Sequence, residues 1–326
     1  MFIINSIAIT NDQKYVIGAT NTGALYFWDF ENILLENSSR TQEKTQNTLI
    51  YKASYKFPLF KDSIQQILLI QESLYCVVAN KLYQVLMSSL ISPNQIIDTD
   101  LNSSVMIQSF QEEIEFIKYN NEILIVAVGS RLYFIDLQHE NNIIEEIDIT
   151  QSINDNIYTL VPIKDVKITS LAVIGQNFLA IGSDIGIIGI WSNSTYSFQS
   201  VLSFKAANQE LSYVNDILYL EDEQQIISLH KNYLVIWNSI LRNDDEIRPI
   251  SDYYKMCSFQ NNIYLTKGNR QIEQMNSKIT LQTSSDVILQ FSTICYQNSN
   301  VLIANGSSPF VDIYVDKNYT LTLSCL

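Results

Sequence analysis

The chain has 326 residues, enough for two average domains or one large all-β domain, and its 47% apolar and 17% charged composition excludes a disordered chain. Lys and Arg number 20 against 34 Asp and Glu, a net charge of −14 that disfavours binding to a nucleic-acid backbone or an anionic membrane. Cys76, Cys257, Cys295 and Cys325 lie far apart with no CxxC pair, as expected of small core residues in a reducing compartment. The stretch MFIINSIAITNDQ has no basic n-region, and no apolar run approaches the length of a membrane span. The expectation is a soluble cytoplasmic protein.

In chain order, one pattern recurs. YVIGATNTGALYFWD (15–29), LYCVVANKLYQVLM (74–87), ILIVAVGSRLYFID (123–136) and FLAIGSDIGIIGIWS (178–192) each read as apolar strand, short polar turn and second strand. QIISLHKNYLVIWN (225–238), NIYLTKGNRQIEQMN (262–276) and NVLIANGSSPFVDIYVD (300–316) continue the series. Of the nine glycines, five (Gly18, Gly129, Gly182, Gly268 and Gly306) fall near the end of the first strand of a hairpin, where positive φ or close backbone approach is needed. The second strands end in Trp28-Asp29, Ile135-Asp136, Trp191-Ser192 and Trp237-Asn238, so all three tryptophans share a register, and Trp191 and Trp237 are expected to be buried.

A further strand precedes each hairpin: INSIAIT (4–10), SIQQILLIQ (63–71), EIEFIKY (113–119), KITSLAVIG (167–175), YVNDILYLE (213–221), KMCSFQ (255–260) and ILQFSTICY (288–296). Another follows each: TLIYKASYKF (48–57), QIIDTDL (95–101), NIIEEIDI (142–149), FQSVLSF (198–204), RPISDYY (248–254), KITLQTS (278–284) and YTLTLSC (319–325). The earlier strand is more uniformly apolar and the later one more alternating, which predicts an inner strand buried on both faces and an outer strand half in water. The predicted fold class is all-β: a single seven-bladed β-propeller of four-stranded antiparallel blades over 1–326. Its blades span approximately 1–57, 63–102, 113–150, 166–206, 213–254, 255–286 and 287–326; six blades are the alternative, the sixth copy being poor.

IAITNDQKYVIGATNTGALYFWDFEN (7–32) resembles a repeat of the WD40 family, with Asn11-Asp12 after the inner strand, Gly18, the Asn21-Thr-Gly turn and Trp28-Asp29; LAVIGQNFLAIGSDIGIIGIWSN (171–193) is the second-best copy. On this resemblance Gly18, Trp28, Asp29, Gly129, Asp136, Gly182, Trp191, Trp237, Gly268 and Gly306 occupy the structural positions of the repeat. The family's Gly-His pair is absent: only His139 and His230 exist, neither at that place, so the bond network linking His, Ser or Thr, Asp and Trp is not expected to form. The chain starts on an inner strand and ends on an outer one, so the interlock by which an N-terminal strand completes the last blade is not expected either.

Catalytic chemistry finds little support. Two histidines in unrelated repeats make a His-based triad or a His-rich metal site improbable, and no GxxxxGK[ST], GxGxxG or HExxH occurs. His230 reads as a partly exposed packing residue and His139 as a solvated loop residue. Glu112-Glu113-Glu115, Glu145-Glu146 and Asp244-Asp245-Glu246 lack calcium-loop spacing and read as solvated faces. The polar stretch ENSSRTQEKTQN (36–47) reads as a disordered loop. No catalytic residue, cofactor, metal or small-molecule substrate is expected.

The expected function is a non-catalytic scaffold for other proteins of a multi-subunit intracellular assembly. The Ile-, Asn- and Gln-rich bias of AT-rich coding sequence, as in ciliates, makes a cytoskeletal or ciliary setting the expected one. The alternative is a reader of acidic or phosphorylated peptides. Four turns between second and third strands carry a cation, Lys81, Arg131, Lys231 and Arg270, on what the resemblance makes the top face.

Overall fold

The computed structural model describes residues 2–33, 50–91, 104–139, 141–156, 163–192, 197–203, 213–237, 246–259, 262–267, 270–277, 279–285, 287–296, 299–315 and 318–325. The first sheet comprises β1 (Ile4–Ile9), β2 (Tyr15–Thr20), β3 (Ala24–Asp29) and, after β4 (Ile50–Lys52), the strand β5 (Tyr55–Pro58). In the second, β6 (Gln66–Ile70), β7 (Ser73–Val78) and β8 (Lys81–Leu86) are followed by a short helix α1 (Met87–Leu90) and β9 (Ser104–Ser109). The third runs β10 (Phe116–Asn120), β11 (Ile123–Val128), β12 (Arg131–Asp136), β13 (Asn142–Asp148), with α2 (Ile149–Asn156) after it.

The fourth sheet is β14 (Ile168–Ile174), β15 (Phe178–Ser183), β16 (Ile187–Ser192) and β17 (Ser197–Ser203). The fifth is β18 (Val214–Leu220), β19 (Gln225–His230), β20 (Tyr233–Trp237) and β21 (Glu246–Pro249). The sixth is β22 (Tyr253–Phe259), β23 (Asn262–Lys267), β24 (Gln271–Gln274) and β25 (Thr280–Gln282). The seventh is β26 (Ile288–Tyr296), β27 (Ser299–Gly306), β28 (Phe310–Val315) and β29 (Asn318–Ser324), with β4 as a fifth strand. Seven successive antiparallel sheets of this kind make the fold a seven-bladed β-propeller, so seven rather than six is the number.

Two details depart from the expected strands. The outer strand of the second sheet is Ser104–Ser109, while 95–101 lies outside the described residues, as do 36–47 and Gly268. The stretch 48–57 is two short strands rather than one. β4 pairs parallel with β29, Leu323 opposite Tyr51, and β5 pairs antiparallel with β3. The chain crosses between them at Ala53, whose N–H donates to Ser324 O at 3.2 Å, and Ser54, whose N–H donates to Phe27 O at 2.7 Å. An interlock between the first and last sheets therefore exists, made by β4.

Packing divides the chain into two compact units, Met1–Gln111 with Gly268–Leu326, and Glu112–Lys267. In the first, one apolar cluster joins Trp28, Val16 and Tyr26 to Ile303, Ile313 and Leu323, and another joins Phe27 and Ile17 to Leu74, Cys76 and Val85. In the second, Phe134 and Leu132 pack on Leu179 and Trp191, and Ile188 and Ile190 on Val235 and Trp237. Three of these clusters span consecutive sheets, and the first joins the first sheet to the seventh.

Burial is deepest in the second and third strands: β2 and β16 are buried throughout, whereas β1, β6 and β10 are buried only in part. The uniformly apolar first strand is thus not the most buried one, because as a sheet edge it has a strand neighbour on one side only. Its free backbone groups are met by side chains. β1, β14, β18, β22 and β26 each carry a register shift, and the residue just after it is Ser6, Ser170, Asp216, Lys255 or Gln290. Ser6 Oγ accepts the Ile67 N–H at 3.1 Å, and in the other unit Asp216 Oδ2 accepts the Met256 N–H at 2.8 Å.

Candidate functional site

The turns between second and third strands carried the functional expectation, and two of them are chemically identical. Thr20 Oγ1 donates to Ala24 O at 2.8 Å and accepts the Ala24 N–H at 3.2 Å; Ser183 Oγ makes the same pair with Ile187 at 2.8 and 3.0 Å. Asn21 Oδ1 accepts the Ile3 N–H at 3.0 Å as Asp184 Oδ1 accepts that of Lys167 at 2.9 Å. Gly23 and Gly186 close both turns at φ +76 and +79. Only glycine takes that backbone without strain, so the Asn-Thr-Gly and Asp-Ile-Gly turns are structural hairpin closures.

Of the five glycines aligned in the sequence, the four among the described residues do not share one place. Gly129 lies in its turn at φ +57, but Gly18, Gly182 and Gly306 lie within β2, β15 and β27. There a Cβ would stand 2.8 Å from the Trp28 ring, against Ser170 Oγ, or against Val287 O, respectively. Close approach, not turn geometry, is what these three need.

The tryptophan register holds. Trp28, Trp191 and Trp237 sit at the ends of β3, β16 and β20, buried to 4% exposure or less. Tyr314, opposite Leu302, takes the equivalent place in β28 and donates its hydroxyl to Gln282 O at 2.5 Å. The Trp28 Nε1–H donates to Ser324 O at 3.2 Å. Asp29 and Asp136, which follow at the ends of β3 and β12, accept turn N–H groups from Asn32 and from Gln138 and His139. His139 Nδ1 lies 2.9 Å from Asp136 Oδ2.

His230 is not the partly exposed residue expected. It is buried, its Nε2 2.9 Å from Ser228 Oγ, which accepts the Trp237 Nε1–H at 3.0 Å. A His–Ser–Trp network therefore does form in the fifth sheet. The histidine is supplied from the end of β19 rather than from before the first strand, a route invisible to the motif because residues two apart on a strand share a face.

The four turn cations occupy three different places. Lys81 and Arg131 open β8 and β12 after two-residue turns, in the same cross-strand register, opposite Val78 and Val128. Lys231 precedes the turn residue Asn232, and Arg270 is itself the turn residue, at φ +64. All four are exposed. Arg131 pairs with Glu146 across the sheet at 2.7 Å, and a Cβ on Gly129 would meet Glu112 Oε2 at 2.8 Å, so carboxylates stand close to that cation. Lys81 and Lys231 make no ion pair with a described residue.

Of the carboxylate clusters, Glu112, Glu113 and Glu115 are exposed and Glu246 pairs with Arg248 at 2.6 Å; Asp244 and Asp245 lie outside the described residues. Among the described residues no group of three or more His, Cys, Asp or Glu is placed to hold a metal, and no helix is long and apolar enough to cross a membrane. Burial pushes the Cys76 and Cys257 thiols far up and Cys325 to about 12, which keeps them protonated. What the sequence reading missed is an apolar signal on outer strands. Val105 and Met106 on β9 are 64% and 52% exposed, Ile143 and Ile144 on β13 are 38% and 42%, and Ile247 on β21 is 43%.

No protein-family model and no curated protein matches the sequence. Solved structures match by shape. The computationally designed Ika8 protein is similar with a TM-score of 0.61 at 10% identity over 97% of this chain and 84% of that one. A chain in a structure of the Mitotic Checkpoint Complex is similar with a TM-score of 0.58 at 11% identity over 83% of this chain and 73% of that one. At such identities the likeness is one of fold.

Proposed function

We propose that this chain is a degenerate WD40-type propeller acting as a non-catalytic scaffold for other proteins of an intracellular assembly. The observation that carries the reading is the set of large apolar side chains left in solvent on outer strands: Val105 with Met106, Ile143 with Ile144, and Ile247. β9, β13 and β21 end their sheets, so each offers a strand edge beside the apolar surface. Such edges are normally blunted by charge or covered, and exposed apolar ones mark contact with protein. The reading is supported as well by where reactive groups are spent. His230 is consumed in a core network, and the Cys76 and Cys257 thiols are held protonated by burial. Likeness in fold to a chain of the Mitotic Checkpoint Complex agrees with assembly into a complex.

The test is affinity purification from the native source after mild cross-linking, then repetition with Ile143→Asp and Ile144→Asp together and with Val105→Asp and Met106→Asp together. A stoichiometric partner set that at least one pair of substitutions removes, with thermal stability unchanged, supports the scaffold. Failure to recover any stoichiometric partner overturns it.

A second reading, binding of acidic or phosphorylated peptides by the turn cations, is favoured by the exposure of Lys81 and Lys231 without ion-pair partners among the described residues. Charge reversal at Lys81, or separately at Lys231, is expected to weaken such binding, and raised salt to imitate it.

A further inference from the structure

Two outer strands of this chain share one register. Just beyond β13 the Ile149 N–H donates to Ser130 O at 2.9 Å, and just beyond β29 the Cys325 N–H donates to Pro309 O at 3.3 Å. Each strand also carries one unpaired extra residue at the same step, Ile144 in β13 and Thr320 in β29. Glu146, Ile147 and Asp148 are therefore the counterparts of Thr322, Leu323 and Ser324. Antiparallel alternation turns the backbone N–H and C=O of the first and third residue of each trio away from its own sheet.

In β29 those groups are taken. β4 pairs with them in parallel, Ile50 opposite Thr322, Tyr51 opposite Leu323 and Lys52 opposite Ser324, and Tyr51 packs on the apolar cluster that holds Leu323. Thr322 and Ser324 are 2% and 3% exposed as a result. In β13 the same edge is open: the strand ends its sheet, Glu146 is exposed and Asp148 half-buried. Glu146 presents both backbone groups and Asp148 its N–H, the Asp148 C=O being taken by the Ser152 hydroxyl at 2.9 Å.

Other outer strands are shut off at this place. The counterpart of Ser324 is Pro58 in β5 and Pro249 in β21, and proline has no N–H to offer. In β9 the extra residue, Ile107, falls within the trio, and in β25 the carbonyl of Gln282 already accepts the Tyr314 hydroxyl. β17 is SFQSVLS and has no charge. β13 instead carries Glu145, Glu146 and Asp148, opposed by Arg131, which pairs with Glu146 at 2.7 Å.

We propose that β13 takes up an extended segment of a partner protein as a fifth strand of the third sheet. The segment runs parallel to β13, with basic residues opposite Glu146 and Asp148 and an apolar one opposite Ile147. This rests on the scaffold reading and gives one of its partners a chemistry. β4 on β29 supplies the geometry, and the carboxylates supply the charge preference, since opposite charges across neighbouring strands attract. Ile143 and Ile144, exposed at the start of β13, favour apolar residues at the N-terminal end of the guest. Main-chain bonds give such a guest its affinity and alternate side chains its specificity.

Fluorescence anisotropy of the full chain with a labelled peptide of the order Val-Ile-Lys-Tyr-Lys is the test. The Ala53 N–H donates to Ser324 O at 3.2 Å, so by parallel alternation Tyr51 is the residue of β4 that faces β29, and the peptide tyrosine takes its place. Saturable binding is expected, lost when the tyrosine nitrogen is methylated and about fivefold weaker in Glu146→Pro, the scale of one net hydrogen bond. Pro58 and Pro249 show that outer strands of this chain hold a proline at an outward N–H. Glu146→Lys is expected to weaken this peptide and strengthen one with Glu in place of Lys. No saturable binding, equal binding of the methylated peptide, or binding unchanged in Glu146→Pro at a native melting temperature overturns the proposal. So does a dimer in sedimentation that Glu146→Pro converts to monomer, which makes a second copy the occupant. Native partners that Ile143→Asp with Ile144→Asp releases and Glu146→Pro retains would leave the scaffold standing and overturn strand addition.

Discussion

Gln290 Oε1 accepts the backbone N–H of Ile7 at 2.9 Å, although 283 residues separate them in the chain. The same oxygen accepts the Ser6 hydroxyl at 2.9 Å, while Gln290 Nε2 donates to Ile7 O at 3.3 Å. One side chain thus satisfies both backbone groups of Ile7 at the edge of β1. Gln290→Ala is expected to lower stability by about 1–3 kcal/mol, the cost of stranding such groups. Urea denaturation of the variant measures it; an unchanged midpoint would show that water replaces the amide.

The fifth sheet gives a second measurement. Ser228→Ala removes the acceptor of the buried Trp237 Nε1–H and is expected to cost roughly 1–3 kcal/mol. Trp237→Ala empties a packed site and is expected to cost roughly 3–5 kcal/mol, as is Trp191→Ala, whose ring stacks at 6.4 Å on Phe134. The melting temperature should fall less in Ser228→Ala than in either tryptophan variant.

Two glycines should respond to the same substitution to different extents and for different reasons. Gly306→Ala drives a methyl group into Val287 O and is expected to cost about 3 kcal/mol or more, because the oxygen it meets belongs to backbone and cannot swing aside. Gly175 has φ +53 and open space around its Cα, so Gly175→Ala pays only the left-handed strain of about 1 kcal/mol, and Gly175→Asn less. Equilibrium unfolding of the pair separates crowding from dihedral strain.

Asp312 predicts a pH dependence. Its carboxyl is buried, which raises its pKa above the model-peptide value of 3.8 despite hydrogen bonds from the Ser284 N–H and hydroxyl and from the Thr322 hydroxyl. A raised folded-state pKa means that the folded chain holds this proton more tightly than the unfolded one. The contribution to stability is therefore complete below pH 3.8 and is lost as pH rises through the folded-state pKa. Asp312→Asn keeps an oxygen for Ser284 and offers an N–H to Thr322 Oγ1, and removes the charge. Relative to the native chain it should grow steadily more stable from acid to neutral pH, as followed by melting temperature across that range; a constant difference would rule out Asp312 as the group responsible.

Repetition of apolar strand, turn and strand, with tryptophan at one register, was legible in the sequence and was sufficient for the fold class. The reason is local: strand alternation and turn chemistry act over a few residues, so Trp28, Trp191 and Trp237, and the glycine closures at Gly23 and Gly186, carry their meaning within each repeat. Tertiary structure alone decided the rest. The split of 48–57 between β5 and β4 depends on an edge of the seventh sheet more than 260 residues away in the chain, as the Ala53 to Ser324 bond shows (324 − 53 = 271). The capture of His230 by Ser228 and Trp237 depends on three side chains sharing one face of a sheet. The bond from the Met256 N–H to Asp216 joins strands of two repeats, because hydrogen-bond partners are chosen by distance in space, which local sequence pattern does not encode.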